Sequence, residues 1–273
     1  MFEPIIWDVD PEIFRIGSFA IRYYSLLFAG GLVLGYHIVK KMYLREGRSI
    51  EELDRMTLYI FIATVLGARL GHCLFYEPEY YLSHPLEMIL PFTWKDGGFE
   101  FTGYQGLASH GGILAVFIAI WYHCRKTNTS FFNTLDKVSV AGALAGCFIR
   151  LGNFMNSEIL GKATNGEWGV IFQRVDNVPR HPAQLYEALA YFLIFLLLNY
   201  LYKTDLKKKT GVIFGLFFTL LFIARFIIEF FKIDQVPFEA NIPLNMGQWL
   251  SVPFIIAGVA VMVWRMRRWA SDR

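Results

Sequence analysis

Charge is scarce in this 273-residue chain: only 18% of its residues are Asp, Glu, Lys or Arg, against 55% hydrophobic and 17% aromatic. That balance excludes water as the main solvent and leaves no room for a separate soluble domain. Cysteine is scarcer still. Cys73, Cys124 and Cys147 are too far apart for a CxxC pair, and Cys73 and Cys147 fall inside apolar segments, so they read as structural thiols. The six histidines form no HxxxH or HExxH pattern, which argues against a metal site. Walker A and GxSxG sequences are also missing, which removes support for soluble nucleotide or serine-hydrolase chemistry. No cofactor is expected. Nor is there an internal repeat, a low-complexity tract or a pairing of Gly/Pro interruptions between halves, as many transporters have. The N-terminus carries Glu3, Asp8, Asp10 and Glu12 instead of the basic region of a cleaved signal, so the first apolar segment is expected to be an uncleaved anchor.

Long apolar runs are abundant. They cover roughly residues 18–39, 56–76, 106–123, 135–154, 182–202, 211–231 and 246–264, each about the length that crosses the hydrocarbon layer as a helix. The expected fold is therefore an all-α integral membrane protein, a single polytopic domain with about seven transmembrane helices. Residues 85–94 are too short to cross and end in Trp94, which suits an interfacial segment. Lysine and arginine concentrate in alternate loops: Lys40, Lys41, Arg45, Arg48 and Arg55; Arg125, Lys126 and Lys137; Lys203, Lys207, Lys208 and Lys209; and the tail from Arg265. The stretches 77–100, 158–180 and 232–245 are acidic or mixed. By the positive-inside rule the N-terminus lies outside and the C-terminus in the cytoplasm. The net charge of +3 thus sorts by side of the membrane and gives no argument for nucleic acid.

Some charges sit where a bilayer penalises them. A charged side chain at the centre of a membrane helix costs about 2.5–3.5 kcal/mol on insertion scales, so each one needs a reason. Arg69, Arg150 and Arg225 fall late in the outward-running second, fourth and sixth spans, and Tyr24, His110, Glu187 and Gln248 fall early in inward-running ones. All seven share the outer layer. Scattered structural charges would divide between leaflets, so this convergence points to one polar site toward the outer leaflet. Snorkelling or ion pairs that fix helix packing are the competing explanation.

Arg225 and Glu229 are i,i+4 neighbours, so Glu229 is expected to hold the guanidinium. Two or three arginines in one pocket need an anion between them, and a guanidinium fork suits a phosphate, such as a phospholipid headgroup. Arg150-Leu-Gly-Asn153-Phe-Met-Asn156-Ser-Glu158-Ile-Leu-Gly161 is the densest polar run, with Arg150 and Asn153 on one face and Gly152 permitting close approach. It could also be a helix end with Asn156 and Gly161 as terminators. Ser109-His110-Gly111-Gly112 opens the third span, where the helix dipole disfavours a protonated imidazole and leaves His110 able to accept a proton. An enzyme, a lipid or anion transporter using the arginines as a binding station, and a structural membrane subunit all remain open at this level. The transporter would need polar residues continuing to the cytoplasmic half.

These motifs together resemble the prolipoprotein diacylglyceryl transferase family over nearly the full chain. The resemblance rests on Arg150-x-Gly152-Asn153-Phe154-x-Asn156-x-Glu158-x-x-Gly161, His110-Gly111-Gly112, Arg180-His181-Pro182-x-Gln184-Leu185-Tyr186-Glu187, Arg225-Phe-x-x-Glu229-Phe-Phe and Gly247-Gln248-x-Leu250-Ser251. It implies a bacterial inner-membrane enzyme that moves the diacylglyceryl group of phosphatidylglycerol to the lipobox cysteine of a preprolipoprotein, as a thioether, with release of glycerol 1-phosphate. Its partners would be phosphatidylglycerol, lipobox signal peptides and membrane lipids, and it would act as a monomer. By the resemblance Arg150 binds phosphatidylglycerol, Arg225 is the second essential arginine and His110 the histidine. Tyr24, Arg69, Asp136, Asn153, Asn156, Glu158, Glu187 and Glu229 complete the expected set. Two features depart from the family pattern: Ile149 stands where its signature usually begins with glycine, and the stretch 99–109 before His110 is longer than in many members.

Overall fold

A computed structural model describes residues 3–17, 19–90, 92–95, 98–101, 106–166, 168–233 and 244–271. Along the chain, β1 (Ile5–Trp7), β2 (Glu12–Ile16) and β3 (Phe19–Arg22) precede α1 (Tyr23–Arg45) and α2 (Ile50–Phe75). The short helices α3 (Pro78–Ser83) and α4 (Pro85–Ile89) lead to β4 (Phe92–Lys95) and β5 (Gly98–Phe101), then α5 (Ser109–Thr127) and α6 (Phe131–Met155). After β6 (Val170–Phe172) and β7 (Pro179–Arg180) come α7 (Ala183–Leu201), α8 (Val212–Ile228) and α9 (Met246–Ser271). Helix dominates because a backbone in hydrocarbon must satisfy its own hydrogen bonds.

The helical membrane architecture expected from the sequence is present. Among the described residues, five helical segments, Ile50–Phe75, Phe131–Met155, Ala183–Leu201, Val212–Phe231 and Met246–Ser271, are long and apolar enough to cross a membrane. Their outer surfaces carry large apolar side chains such as Leu66, Leu189, Leu193 and Phe254, an exposure that water would penalise and lipid would not. The short strands are a departure from a purely helical reading. Three pairings join consecutive strands, β2 with β3, β4 with β5 and β6 with β7, but Ile5–Trp7 lies in parallel register with the distant Val170–Phe172, which no run of apolar residues announces. The interfacial segment expected at 85–94 is helix α4 followed by the start of β4. Of the stretch 99–109, residues 102–105 lie outside the described residues.

The chain forms two compact units, residues 42–134 and residues 1–41 with 135–273. In the first, α2 begins at Ser49, whose hydroxyl accepts from the Glu52 amide at 3.2 Å, with Glu51 and Glu52 in the first turn complementing the helix dipole. Helices α2 and α5 press together through a seam of small residues. A Cβ added at Gly67 would run into Ala115 and the Gly111 carbonyl, and one at Gly111 into Gly67 and Gly71. Such contact replaces the hydrophobic drive that lipid cannot supply.

In the second unit α8 and α9 make the same kind of approach at Gly215, Thr219 and Gly258. Asp136 of α6, 1% exposed, accepts from the amides of Gly211 at 2.6 Å and Phe214 at 2.8 Å and so caps the start of α8. Helix α9 opens on a reciprocal capping box: Asn245 Oδ1 accepts from the Gln248 amide at 2.9 Å, and Gln248 Oε1 from the Asn245 amide at 3.1 Å. Phe154, Val170 and Phe172, with Trp7 and Leu185 packed on them, form a small core that ties β1 and β6 to the end of α6.

Candidate active site

The polar run after residue 149 straddles a helix end. Helix α6 continues to Met155, so Arg150 and Asn153 share a helical face, and Arg150 Nη1 donates to Asn153 Oδ1 at 3.3 Å. Asn153 Nδ2 passes the contact on to Glu158 Oε2 at 3.1 Å, and Asn156 Nδ2 donates to Glu158 Oε1 at 3.0 Å. Arg150, Asn153, Glu158 and Asn156 are thus one hydrogen-bonded string. The backbone beyond the helix is unusual, since Ser157 and Ile159, on either side of Glu158, have φ of 54° and 56°. Glu158 is held there by its own amide on the Asn153 carbonyl and by Gln184 Nε2 on its carbonyl. Gly152 makes room for Tyr24, since an added Cβ would lie 2.7 Å from its ring.

On its other side Arg150 meets α7. Its Nε lies 3.0 Å from Glu187 Oε2, and Glu187 is fully buried. Glu187 Oε1 also accepts from Lys232 Nζ at 2.9 Å and from the Tyr191 hydroxyl at 3.4 Å. Lys232 Nζ reaches Glu229 Oε2 at 3.1 Å, and the Glu229 carboxylate packs directly on Gly247, where a Cβ would have no space. Two cations and two carboxylates therefore alternate through the core of this unit. Partnering of this kind is what allows charges to be buried at all.

The arrangement corrects one expectation. Glu229 does not hold Arg225; it pairs with Lys232. Helix α8 ends at Ile228, and Glu229–Phe231 wind as a 3₁₀ turn, in which side chains three apart eclipse and Glu229 faces Lys232. Among the described residues no carboxylate lies within ion-pairing distance of Arg225, which is partly buried. Gln248 is buried as well, but its polarity serves the capping box and the Phe226 carbonyl. Lys232 is the residue the sequence reading missed. A lysine three residues after the glutamate that closes an apolar segment was the available signal.

Arg69 and His110 belong to the other unit. Arg69, 4% exposed, donates to the Glu87 carbonyl at 2.8 Å and lies 4.7 Å from the centroid of the Tyr81 ring. His110 is the second residue of α5 and is exposed, with its Nε2 3.2 Å from the Tyr76 hydroxyl.

Glu158 and Asn156 also line a polar cleft of about 430 Å³, together with Asp10, Glu12, Arg22 and Arg174. Arg15 and then Arg22 hydrogen-bond Glu12 and hold its carboxyl below the usual carboxylate range. The string from Arg150 to Glu158 therefore connects a buried ion cluster with an open, charged cleft. Such an arrangement can bind a phosphate at the buried end and admit polar groups at the other.

The family model described as prolipoprotein diacylglyceryl transferase matches residues 11–264. A protein of Tolumonas auensis named phosphatidylglycerol–prolipoprotein diacylglyceryl transferase is 50% identical over 260 residues, covering 95% of this chain and 96% of its own. A Bacteroides fragilis protein of the same name is 49% identical over 260 residues, 94% of each chain, and one from Chloroherpeton thalassium is 42% identical over 261 residues, 94% and 93%.

Proposed function

We propose, because this chain belongs to the prolipoprotein diacylglyceryl transferase family, that it transfers the diacylglyceryl group of phosphatidylglycerol to the lipobox cysteine of a preprolipoprotein, the first step of bacterial lipoprotein maturation. The thiolate sulfur attacks the glyceryl carbon next to the phosphate. A carbon–sulfur bond forms, the carbon–oxygen bond to phosphate breaks, and glycerol 1-phosphate departs with the electron pair. The protein works as a monomer in the inner membrane with seven spans, N-terminus outside and C-terminus inside, and its site opens to the outer leaflet.

The observation that carries the residue assignments is the fixing of Arg150 between buried Glu187 and Asn153. With Nε on a carboxylate and Nη1 on Asn153, the guanidinium is held in one orientation for the headgroup phosphate. Arg225 adds a second cation, and the two stabilise charge that grows on the departing phosphate oxygen. Asn153, Asn156 and Glu158 orient the headgroup, Tyr24 packs beside it on Gly152, Glu187 holds Arg150, and Glu229 holds Lys232. His110 takes the thiol proton, since the thiolate is the nucleophile and an ordinary cysteine is mostly protonated at neutral pH. Arg69, engaged with the Glu87 carbonyl and the Tyr81 ring, acts by ordering residues 78–89.

The transporter alternative is set aside, because the relatives are named as transferases. Purified protein incubated with phosphatidylglycerol and a lipobox peptide should add a diacylglyceryl mass to the peptide and release glycerol phosphate in equal amount. Absence of both products rejects the reaction. For the base, His110→Gln should slow transfer and change its pH profile; full activity with the same profile removes His110 from that role.

A further inference from the structure

Lys232 lies beyond the last turn of α8 and is 2% exposed. Its backbone is not free to drift. Gly161 and Lys232 form an antiparallel bridge, flanked by the Lys162 amide on the Phe231 carbonyl at 2.7 Å and the Ile233 amide on the Leu160 carbonyl at 3.2 Å. A Cβ at Gly161 would strike the His181 carbonyl, so this strand-like strip has a fixed place beside the start of α7. From there the ammonium reaches two carboxylates on two different elements, Glu187 of α7 at 2.9 Å and Glu229 after α8 at 3.1 Å.

We infer that Lys232 is a positioning residue for the transfer reaction: its ammonium clamps Glu187 and Glu229 so that Glu187 presents its second oxygen to Arg150. The inference rests on the reading of Arg150 as the phosphate-binding arginine. Three observations converge on it. Glu187 divides its two oxygens, Oε1 to Lys232 and Oε2 to Arg150, so the lysine determines which oxygen the arginine meets. The cluster is charge-balanced, Arg150 and Lys232 against Glu187 and Glu229, and removing one cation leaves a buried carboxylate uncompensated, the costly way to break such a group. An uncompensated Glu187 or Glu229 would draw Arg150 or Arg225 toward itself and away from the substrate. Lys232 itself, engaged on both carboxylates and sealed from solvent, has no need to touch the lipid.

The test uses the full-length protein in mixed micelles, with phosphatidylglycerol varied as a mole fraction and a lipobox peptide as acceptor. Lys232→Met should lower kcat/KM by about 100-fold, the scale on which a small misplacement of a binding group acts, with KM for phosphatidylglycerol raised and KM for the peptide unchanged. Lys232→Arg, which keeps the charge and can span two carboxylates, should recover most of the loss. Adding Glu229→Gln to Lys232→Met removes the surplus negative charge and should restore KM for the lipid at least tenfold. If Lys232→Met keeps wild-type kcat and KM, the inference is overturned. It is equally overturned if neither Lys232→Arg nor the double variant recovers activity, because the lysine would then act on the substrate directly, or if both KM values rise together, as general loosening would produce. Should Lys232→Met not accumulate in the membrane, Lys232→Gln takes its place: a KM for the lipid raised at least tenfold with the peptide KM unchanged supports the clamp, and unchanged constants reject it. Wild-type protein without transfer activity would instead count against the proposed reaction, which keeps the two failures distinct.

Discussion

Arg69 and Arg150 stand at comparable points of α2 and α6, each late in an apolar helix, the first buried and the second partly buried, yet their surroundings differ in kind. Arg69 meets a backbone carbonyl and the face of a tyrosine, contacts that tie one piece of chain to another. Arg150 meets a buried carboxylate and an asparagine that itself leads to Glu158, contacts that aim a cation. Depth in the membrane marks both as worth explaining. Only the partners separate an anchor from a tool.

Substitution can break that comparison. Arg150→Gln should reduce transfer by about 10²–10³-fold, the range seen when a preorganised electrostatic group is removed, with the thermal transition in detergent little changed. Arg69→Gln should do the opposite, lowering the transition clearly while leaving kcat/KM within about tenfold of wild type. Equal losses of activity would erase the distinction. Next in size is Gly111→Leu, which places a side chain where α2 and α5 touch; a destabilisation of about 3 kcal/mol is expected from overpacking, visible as a lower transition temperature. Asp136→Asn should cost about 1–2 kcal/mol by weakening the cap on α8, and a kcat/KM near wild type would place Asp136 outside the chemistry.

The smallest effect is one of pH. Hydrogen bonds from Arg180 hold the Asp176 carboxyl below its ordinary range. Its contribution to stability is therefore present at neutral pH and is lost as the pH falls through the depressed value, below the usual carboxylate range. Because the pair is partly exposed, screening keeps this small. Hydrogen exchange at residues 174–180 should rise in acid in the wild type and should already be raised at neutral pH in Asp176→Asn.

What the sequence made legible follows from cost. Long apolar runs and buried arginines are expensive or impossible in water or lipid respectively, so they stand out without any knowledge of contacts. Neighbours three residues apart on α6 were equally readable, and Arg150 does bond Asn153. Partners far along the chain were not: Glu187 and Arg150 each stood out, but nothing local paired them. The Arg225–Glu229 expectation failed at a helix terminus, where a 3₁₀ turn replaces the spacing on which it relied. Lys232 stayed hidden because it follows the apolar segment and looks like a loop residue until the Gly161 bridge carries it inward.

The left-handed backbone at Ile159 has a further implication. A β-branched residue at φ 56° is held against its own preference, at a cost of about 1–3 kcal/mol. Glycine there would relieve the cost, so Ile159→Gly should raise the melting temperature or leave it unchanged, yet it would also free the hinge on which Glu158 hangs. A screen that selected this protein for heat resistance alone would thus be drawn toward that position, and would trade turnover for robustness when it got there.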